Sequence, residues 1–402
     1  MKRQRMMVLL AFSLLLAVAA VIGCGTLGVD GFLIPVGSQS QVKFAFVVNG
    51  NPESDRNSVT VSAYTVNSST GALTAAPGSP FGTDVSGCCG TVFIDADPTS
   101  RFVYVPNGGG GGGEKPEQQQ PSPDTVSVFS VDQSTGALTE VSGSPFSSGG
   151  SDPFSAKADP SGRFVFVANR GDDTVAAFSV GSNGTLTPAG TVQSITAEPY
   201  QMMTDPQSRF LYVTAGGGAT IWGFSINSSS GALTPIPGSP FFVPCESRSG
   251  TVDFAGHFLV VAVRSCDEVA VYTIDQTTGA LSQVNGSPFP TGDRPFHVVE
   301  VANGDQTFVA VNNLDDANIS VFTFNTSTGA LAAVSGSPFT FNNFQWPHYM
   351  AADTAGQFGY IVDFSNTITG VTISANGTVT QITGSPFTTG GLSTPTQIVL
   401  SH

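Results

Sequence analysis

Apolar and polar residues alternate along seven segments of the chain that share one pattern. In residues 126–132, Val126 and Val128 take one set of alternate positions, and Phe129 and Val131 take the other. A period of two predicts β-strands, whose successive side chains point to opposite faces of a sheet. No helical period of 3.6 residues is found after residue 40. The seven copies span 61–81, 126–146, 175–195, 221–241, 269–289, 319–339 and 368–387.

Each copy predicts a β-hairpin. A glycine closes its turn, because glycine adopts the left-handed backbone such a loop needs. These glycines are Gly71, Gly136, Gly184, Gly231, Gly279, Gly329 and Gly377. The second strand is short and ends in Gly-Ser-Pro-Phe in six of the seven copies. Proline has no backbone N–H to donate, so it suits an outer edge strand, which has no further strand to pair with. We expect the phenylalanine of the motif to pack between neighbouring sheets.

A second recurring strand pair lies between the hairpins. Its members are joined by turns of the Asp-Pro-x-Gly/Ser type, as in 154–169 and 200–215. His257 takes the arginine position of one such turn, which predicts a structural role. Each unit therefore contains four strands, named A to D in chain order.

The two ends of the chain predict a closed ring. The repeats begin with a B-like strand at 42–49 and end with an A-like strand at 394–400. Pairing of these strands would seal the ring and remove its open edges. The fold prediction is all-β: a seven-bladed β-propeller of four-stranded antiparallel blades over residues 41–402. The low-complexity segment 107–124 is interpreted as a loop insertion. A linear β-solenoid is the alternative, and it would not need complementary ends.

The first residues predict export. Lys2, Arg3 and Arg5 precede an apolar run that reaches Gly23 and is followed by Cys24. This pattern resembles a lipoprotein signal peptide (1–23), with a lipid on Cys24 and a tether over 24–40. A plain signal peptide or a membrane anchor is the alternative. Gly25 after the cysteine resembles an outer-membrane sorting signal, which would place the protein on the cell envelope.

Four cysteines remain after Cys24, an even set that suits an oxidising compartment. Cys245 leads into strand A and Cys266 follows strand B of the same unit. Antiparallel neighbours bring those two ends together, so we predict a Cys245–Cys266 disulfide. The adjacent Cys88 and Cys89 are candidates for a vicinal disulfide.

The net charge of the chain limits the classes of partner that it can bind. The net charge is −15, and only 11% of residues are charged. Such an acidic chain disfavours nucleic acid and anionic lipid headgroups. The expected partners are a membrane, through the lipid on Cys24, and a small molecule or protein at one loop face of a monomer. The sequence indicates no cofactor. Asp172-Asp173 and Asp315-Asp316 lack EF-hand spacing, so no metal site is predicted.

The repeats carry a resemblance to a known family. FVYVPN (102–107), FVFVAN (164–169) and FLYVTA (210–215), with the TGALT turns, resemble the YVTN/lactonase-like seven-bladed propellers over about 41–400. That family includes 6-phosphogluconolactonase-type proteins. The resemblance implies a seven-bladed propeller and, as one activity, lactone hydrolysis.

Ligands of propellers usually bind where the loops before strand A meet the B–C loops. These loops hold much of the scarce charge, and the candidate ligand-binding residues are Arg248, Glu246, Tyr200, Trp346, Arg170, Arg264 and Asp267. His297 and His348 follow proline at similar places in adjacent units, so two imidazoles could share a pocket. With Arg294 they are the candidate catalytic residues, because a lactonase needs a carbonyl-polarising group and a base. A purely structural role for both histidines is the alternative.

The resemblance is incomplete at this point of the chain. Lactonase-like propellers carry a Pro-Arg-His element, whereas residues 294–297 have Phe296 in place of its arginine. The His-Pro-His element of many members has no counterpart here. Two functions are therefore weighed: a binding or scaffold protein of the envelope, and a hydrolase or isomerase acting on a lactone or sugar acid.

Overall fold

The computed structural model describes residues 42–50, 59–83, 92–108, 124–341, 344–353, 356–363, 365–390 and 395–401. All of them belong to one compact unit, Ser40–His402. Over these ranges the backbone forms strands and turns and contains no helix. Accordingly, no helix in the described part of the chain is long and apolar enough to cross a membrane.

The strands form seven antiparallel sheets, which we number as blades 1 to 7 in chain order. Those of blades 1 to 4 are β1 (Phe44–Asn49), β2 (Thr60–Val66), β3 (Leu73–Ala75), β4 (Phe81–Gly82), β5 (Asp95–Ala96), β6 (Phe102–Asn107), β7 (Thr125–Val131), β8 (Leu138–Glu140), β9 (Phe146–Ser147), β10 (Pro153–Ala158), β11 (Phe164–Asn169), β12 (Thr174–Val180), β13 (Leu186–Pro188), β14 (Gln193–Ser194), β15 (Pro199–Thr204), β16 (Phe210–Ala215), β17 (Thr220–Ile226), β18 (Leu233–Pro235) and β19 (Phe241–Phe242).

The remaining strands complete blades 5 to 7 and return to blade 1. They are β20 (Ser247–Val252), β21 (Phe258–Val263), β22 (Glu268–Ile274), β23 (Leu281–Gln283), β24 (Phe289–Pro290), β25 (Pro295–Asn303), β26 (Gln306–Asn313), β27 (Asn318–Phe324), β28 (Leu331–Ala333), β29 (Phe339–Thr340), β30 (Pro347–Ala352), β31 (Gly359–Asp363), β32 (Thr367–Ile373), β33 (Val379–Gln381), β34 (Phe387–Thr388) and β35 (Pro395–Ser401).

Each blade has the four predicted strands, and the outer one is interrupted. In blade 2 the order is β5-β6-β7-β8, and β9 also pairs with β7. β8 pairs with one end of β7, at Phe129–Val131, and β9 pairs with the other end, at Thr125 and Val126. Strand D is thus two short pieces, which the sequence pattern did not predict.

The Gly-Ser-Pro-Phe motif lies at this interruption. In blade 2 the backbone N–H of Val128 donates to Oγ of Ser144 at 2.9 Å. The equivalent bond recurs in all six copies of the motif, and the Ser–Pro peptide is cis in each. The serine hydroxyl therefore satisfies a strand C donor at the break.

The closure of the ring follows the prediction. β35, from the C-terminal end, pairs antiparallel with β1, and Phe44 lies opposite Ser401. Blade 1 therefore has one strand from the end of the chain and the others from its beginning, in the order β3-β2-β1-β35. This pairing excludes the linear solenoid.

Blades are buried on both faces, which explains the apolar character of both sets of alternate positions. From β7, Val126 and Val128 pack between blades 2 and 3, whereas Phe129 and Val131 pack between blades 1 and 2. A hydrophobic cluster of this kind fills each of the seven contacts between blades. The motif phenylalanines pack against these clusters, as predicted.

Candidate functional site

A β-bulge at the start of strand A occurs in blade 1, at Thr396 of β35, and in the five blades 3 to 7, where it places a large side chain at the axial end. The strand register shifts after the first residue of β10, β15, β20, β25 and β30. The second residues of these strands are Phe154, Tyr200, Arg248, Phe296 and His348. Because a bulge leaves its extra residue out of the ladder and re-aims its side chain, these five side chains depart from the regular alternation.

Aromatic rings form a floor across the axis of the propeller. Phe93 of blade 2 contacts Phe154, Tyr200 and Tyr349 of blades 3, 4 and 7, with ring centroids 4.8, 5.1 and 4.7 Å apart. Phe296 of blade 6 adds a ring 5.7 Å from Tyr349. All five rings are buried. We call this set of five rings the aromatic floor, and it separates the two mouths of the axial channel.

Three arginines lie against the aromatic floor on the side of the loops that precede strand A. Arg170 lies 4.4 Å from the Phe154 ring, and Arg248 lies 4.5 Å from the Tyr200 ring. Arg264 is 5.9 Å from the Phe296 ring. Such stacking holds a guanidinium in place. Arg170 also donates from Nε and Nη2 to Asp152 Oδ2, at 3.3 and 3.1 Å. We call Arg170, Arg248 and Arg264, with Glu246, the arginine mouth.

Glu246 connects two of these arginines. Its Oε1 lies 2.6 Å from Nη2 of Arg248 and 3.5 Å from Nη1 of Arg264, and its Oε2 accepts from Ser265 at 3.1 Å. The Arg264 N–H also donates to the Glu246 carbonyl at 2.8 Å. The two loops that carry these residues are therefore held together by backbone and side chains.

The predicted disulfide lies beside this network. Cys245 and Cys266 are bonded, with Cα atoms 6.0 Å apart. Cys245 precedes Glu246, and Cys266 follows Arg264 by two residues. The cross-link thus joins the two loops of blade 5 that supply the charges of the arginine mouth. Cys24, Cys88 and Cys89 lie outside the described residues, as do the segments 1–23 and 24–40.

Arg248 and Arg264 share the single carboxylate of Glu246, whereas Arg170 is paired with Asp152. Burial lowers the pKa of Arg264, and the charges of Arg248 and Arg294 lower it further. The charge of Glu246 opposes this shift. The Nε–H groups of Arg248 and Arg264 have no acceptor among the described residues. An anion reaching this mouth would gain compensating charge, because two guanidiniums share one carboxylate there.

The histidines occupy different surroundings. His297 is buried, 4.5 Å from the Tyr349 ring, and lines a cavity on the far side of the aromatic floor. His348 stacks on Phe296 at 4.8 Å, near Arg264 and Arg294. His348 is the second residue of β30, whereas His297 is the third residue of β25. Because the bulge turns the second side chain of strand A away from the third, the two imidazoles do not share one open pocket.

Both imidazoles are held neutral. Burial lowers the pKa of His297 to about 3. Burial, and then the charges of Arg264 and Arg294, lowers the pKa of His348 to about 4.

The remaining candidate residues lie beneath or around the arginine mouth, or in a turn. Tyr200 is buried beneath Arg248, so it holds the guanidinium and does not face a ligand. Asp267 accepts a hydrogen bond from the Arg294 N–H at 2.9 Å, and Arg294 pairs with Asp315 at 3.1 Å. Trp346 lies at the rim, 51% exposed, in the loop before β30. His257 sits in an A–B turn and donates its N–H to Asp253, in line with a structural role.

Sequence reasoning missed the floor that supports the arginines. Phe93, Phe154 and Phe296 were not candidates, because single apolar residues look like ordinary core. A signal was present: an aromatic residue follows the proline in Pro153-Phe154, Pro199-Tyr200 and Pro295-Phe296. In the described part of the chain, no three His, Cys, Asp or Glu side chains are grouped to hold a metal ion.

Comparisons with solved structures support the same architecture. A Bacteroides fragilis protein provisionally named a 6-phosphogluconolactonase superposes with a TM-score of 0.70 at 16% identity, covering 89% of this chain and 98% of that one. The periplasmic gluconolactonase of Pseudomonas aeruginosa gives 0.69 at 16% identity, covering 89% and 99%. At these identities the likeness shows the fold.

The family assignment rests on a sequence match. Residues 124–244 and 246–346 match the family described as Lactonase, 7-bladed beta-propeller, and these ranges are more than half of the chain. No curated protein matches the chain. The repeats, the closed seven-bladed ring and this match lead to one conclusion: the chain belongs to the lactonase seven-bladed β-propeller family.

Proposed function

We propose that this protein is an envelope propeller that binds a small sugar acid, or its lactone, at the arginine mouth. The observation that carries the proposal is the set of three guanidiniums stacked on the aromatic floor. These arginines stand out in a chain of net charge −15. Arginines placed in this way bind planar carboxylates with paired hydrogen bonds.

The names of the structural neighbours and the family support a sugar acid or its lactone as the class of ligand. Two structural neighbours carry names that refer to gluconolactone or its phosphate. Family membership supports the same substrate class.

Lactone hydrolysis is the second candidate, with Glu246 as the base, because Glu246 lies in the arginine mouth whereas His297 is buried beyond the aromatic floor. The Glu246 carboxylate would take a proton from water, and Arg248 and Arg264 beside it would stabilise the oxyanion. Water oxygen would add to the lactone carbonyl carbon, and the ring C–O bond would break. The ring oxygen would then receive the proton, which gives the open hydroxy acid.

The proposal includes export and lipid anchoring. The Cys245–Cys266 bond suits an oxidising compartment, and the periplasmic location of one neighbour points the same way. A Cys24→Ala variant should move from the membrane fraction to the soluble fraction. Retention of this variant in membranes would argue against the lipid.

Binding is tested on the form that begins at Gly25, by isothermal titration with sodium D-gluconate. We expect one site per chain, and Arg248→Gln should weaken it roughly 10- to 100-fold through loss of a charge-assisted hydrogen bond. Arg163→Gln is the matched control, because Arg163 is an exposed turn arginine whose Nη1 donates to the Ser228 carbonyl. No heat of binding, or equal loss in both variants, would contradict the proposal.

Turnover distinguishes the two candidates. D-glucono-δ-lactone hydrolysis is followed at pH 6.5, where the spontaneous reaction is subtracted, for the native protein and for Glu246→Gln. Turnover that Glu246→Gln abolishes would establish the hydrolase. Gluconate binding without turnover would leave a binding protein.

A further inference from the structure

The opposite mouth of the channel contains a cavity of about 280 Å³. It is lined by the middle and end of the A strands, on the far side of the aromatic floor from the arginine mouth, and Phe93 forms part of its wall. Drug-sized ligands occupy pockets of about 300–1,000 Å³, so this cavity suits a smaller molecule. The function proposed above does not use it.

The polar groups of this cavity are charge-balanced. Lys157 Nζ lies 2.8 Å from Asp95 Oδ2, so the two charges compensate each other. Glu300 is buried, and its Oε2 accepts from the Phe254 N–H at 2.6 Å. Burial, together with the charge of Asp253, raises the pKa of Glu300 to about 8, so at neutral pH it is a neutral acid. This mouth therefore offers no net positive charge to an anion.

Two glutamine amides add neutral donors and acceptors. Gln201 Oε1 accepts from the Gly250 N–H at 3.0 Å, and its Nε2 lies 3.4 Å from Nε2 of His297. Gln397 lines the cavity, is 7% exposed, and its Oε1 has no donor among the described residues. A buried acceptor without a donor is destabilising, and a ligand hydroxyl can satisfy it.

Apolar surface accompanies these groups. Phe254 lines the cavity and is 39% exposed, while Phe93 and Met350 contribute further apolar wall. An exposed ring beside amides and a buried acid offers both a stacking surface and hydrogen bonds.

We propose that this cavity binds a neutral polyhydroxylated molecule of monosaccharide size. Hydroxyl groups can donate to Gln397 Oε1 and accept from Gln201 and Lys157, and the carbon face can lie against Phe254. A carboxylate is disfavoured, because Lys157, the cation of this wall, is already paired with Asp95. The aromatic floor separates this site from the arginine mouth, so the two sites bind independently.

The test uses saturation-transfer NMR with D-glucose, D-galactose, D-xylose and myo-inositol on the form that begins at Gly25. We expect at least one of these probes to bind, and sodium gluconate not to displace it. The Gln397→Leu variant should weaken that binding at least roughly tenfold, since it loses the acceptor.

Stability separates a ligand role from a structural one. Because Gln397 Oε1 has no protein donor, Gln397→Leu should keep or raise the melting temperature. Gln283→Leu, on an exposed outer strand, is the matched control and should leave probe binding unchanged. A second variant, Lys157→Met, should also weaken the binding. Absence of signal for all four probes, or binding unchanged in both cavity variants, would overturn the proposal.

Discussion

At the scale of single residues, the turn glycines show why one position of the repeat is always glycine. All seven have positive φ, between 69° and 85°. Each also packs against the preceding blade, where a Cβ would meet a side chain at 2.4 to 2.8 Å. At Gly231 the neighbour is Phe164, and at Gly136 it is Phe44. The glycine is thus required both by the turn and by the contact between blades.

Gly231→Ala tests these two requirements. A side chain at φ 75° is strained, and its Cβ would lie 2.4 Å from Phe164 Cδ1. We expect the free energy of unfolding to fall by roughly 2–4 kcal/mol, measured by chemical denaturation. Gly286→Ala is the matched control, because Gly286 has φ 86° but nothing within 4 Å of the added Cβ. Equal losses in the two variants would show that the contact with Phe164 contributes nothing.

A buried acid gives a second prediction at this scale. Glu300 has an ordinary pKa of 4.5 and a folded value of about 8. The folded state then retains a proton that the unfolded state loses, so stability falls as pH rises towards 8. His297 and His348 act in the opposite sense, and most of their effect lies below pH 7, because their ordinary pKa is 6.5.

The window from pH 7 to 8 therefore reports mainly on Glu300. The free energy of unfolding should fall there by about 1 kcal/mol in the native protein, and Glu300→Gln should remove most of that slope. Glu198→Gln, at an exposed residue, is the control. An unchanged slope in Glu300→Gln would show that another group titrates.

At the scale of elements, the disulfide of blade 5 connects stability with the site. It joins the loop before β20 to the loop after β21, and these loops carry Glu246 and Arg264. The bond closes a sequence separation of 21 residues. Its position predicts that it orders the charges of the arginine mouth as well as the fold.

Replacing both Cys245 and Cys266 with serine should lower the free energy of unfolding by about 3 kcal/mol, as expected for a loop of this length. Gluconate affinity should fall as well, because Glu246 and Arg264 would no longer be held together. Titration calorimetry below the unfolding transition measures the second effect. Unchanged affinity in the double variant would limit the bond to a structural role.

The elements were also the part of the molecule that sequence could predict well. The period of two and the turn glycines specify the hairpins, because each is a local signal repeated seven times. The closure could be predicted because the two end strands are incomplete parts of the same repeat. The interruption of strand D was missed, since it depends on a bond from Val128 to Ser144 across the hairpin. A serine in a turn gives no sign of that partner.

At the scale of the whole molecule, the aromatic floor divides the channel into two different mouths. One has three arginines, and the other has a balanced Asp95–Lys157 pair with buried amides. The sequence predicted that the loops before strand A and the B–C loops, which carry these arginines, meet at one face. It could not show the floor or the opposite cavity, since Phe93, Tyr349 and Gln397 come from distant parts of the chain and meet only when the ring closes.

The most direct measurement of the central claim is a crystal structure of the form that begins at Gly25 with bound D-gluconate. Our account predicts the carboxylate within hydrogen-bond distance of Arg248 and Arg264, above the aromatic floor. It also predicts the disulfide between Cys245 and Cys266 in the same crystal. A gluconate carboxylate bound in the cavity beside Asp95 and Gln397, with the arginine mouth empty, would contradict it.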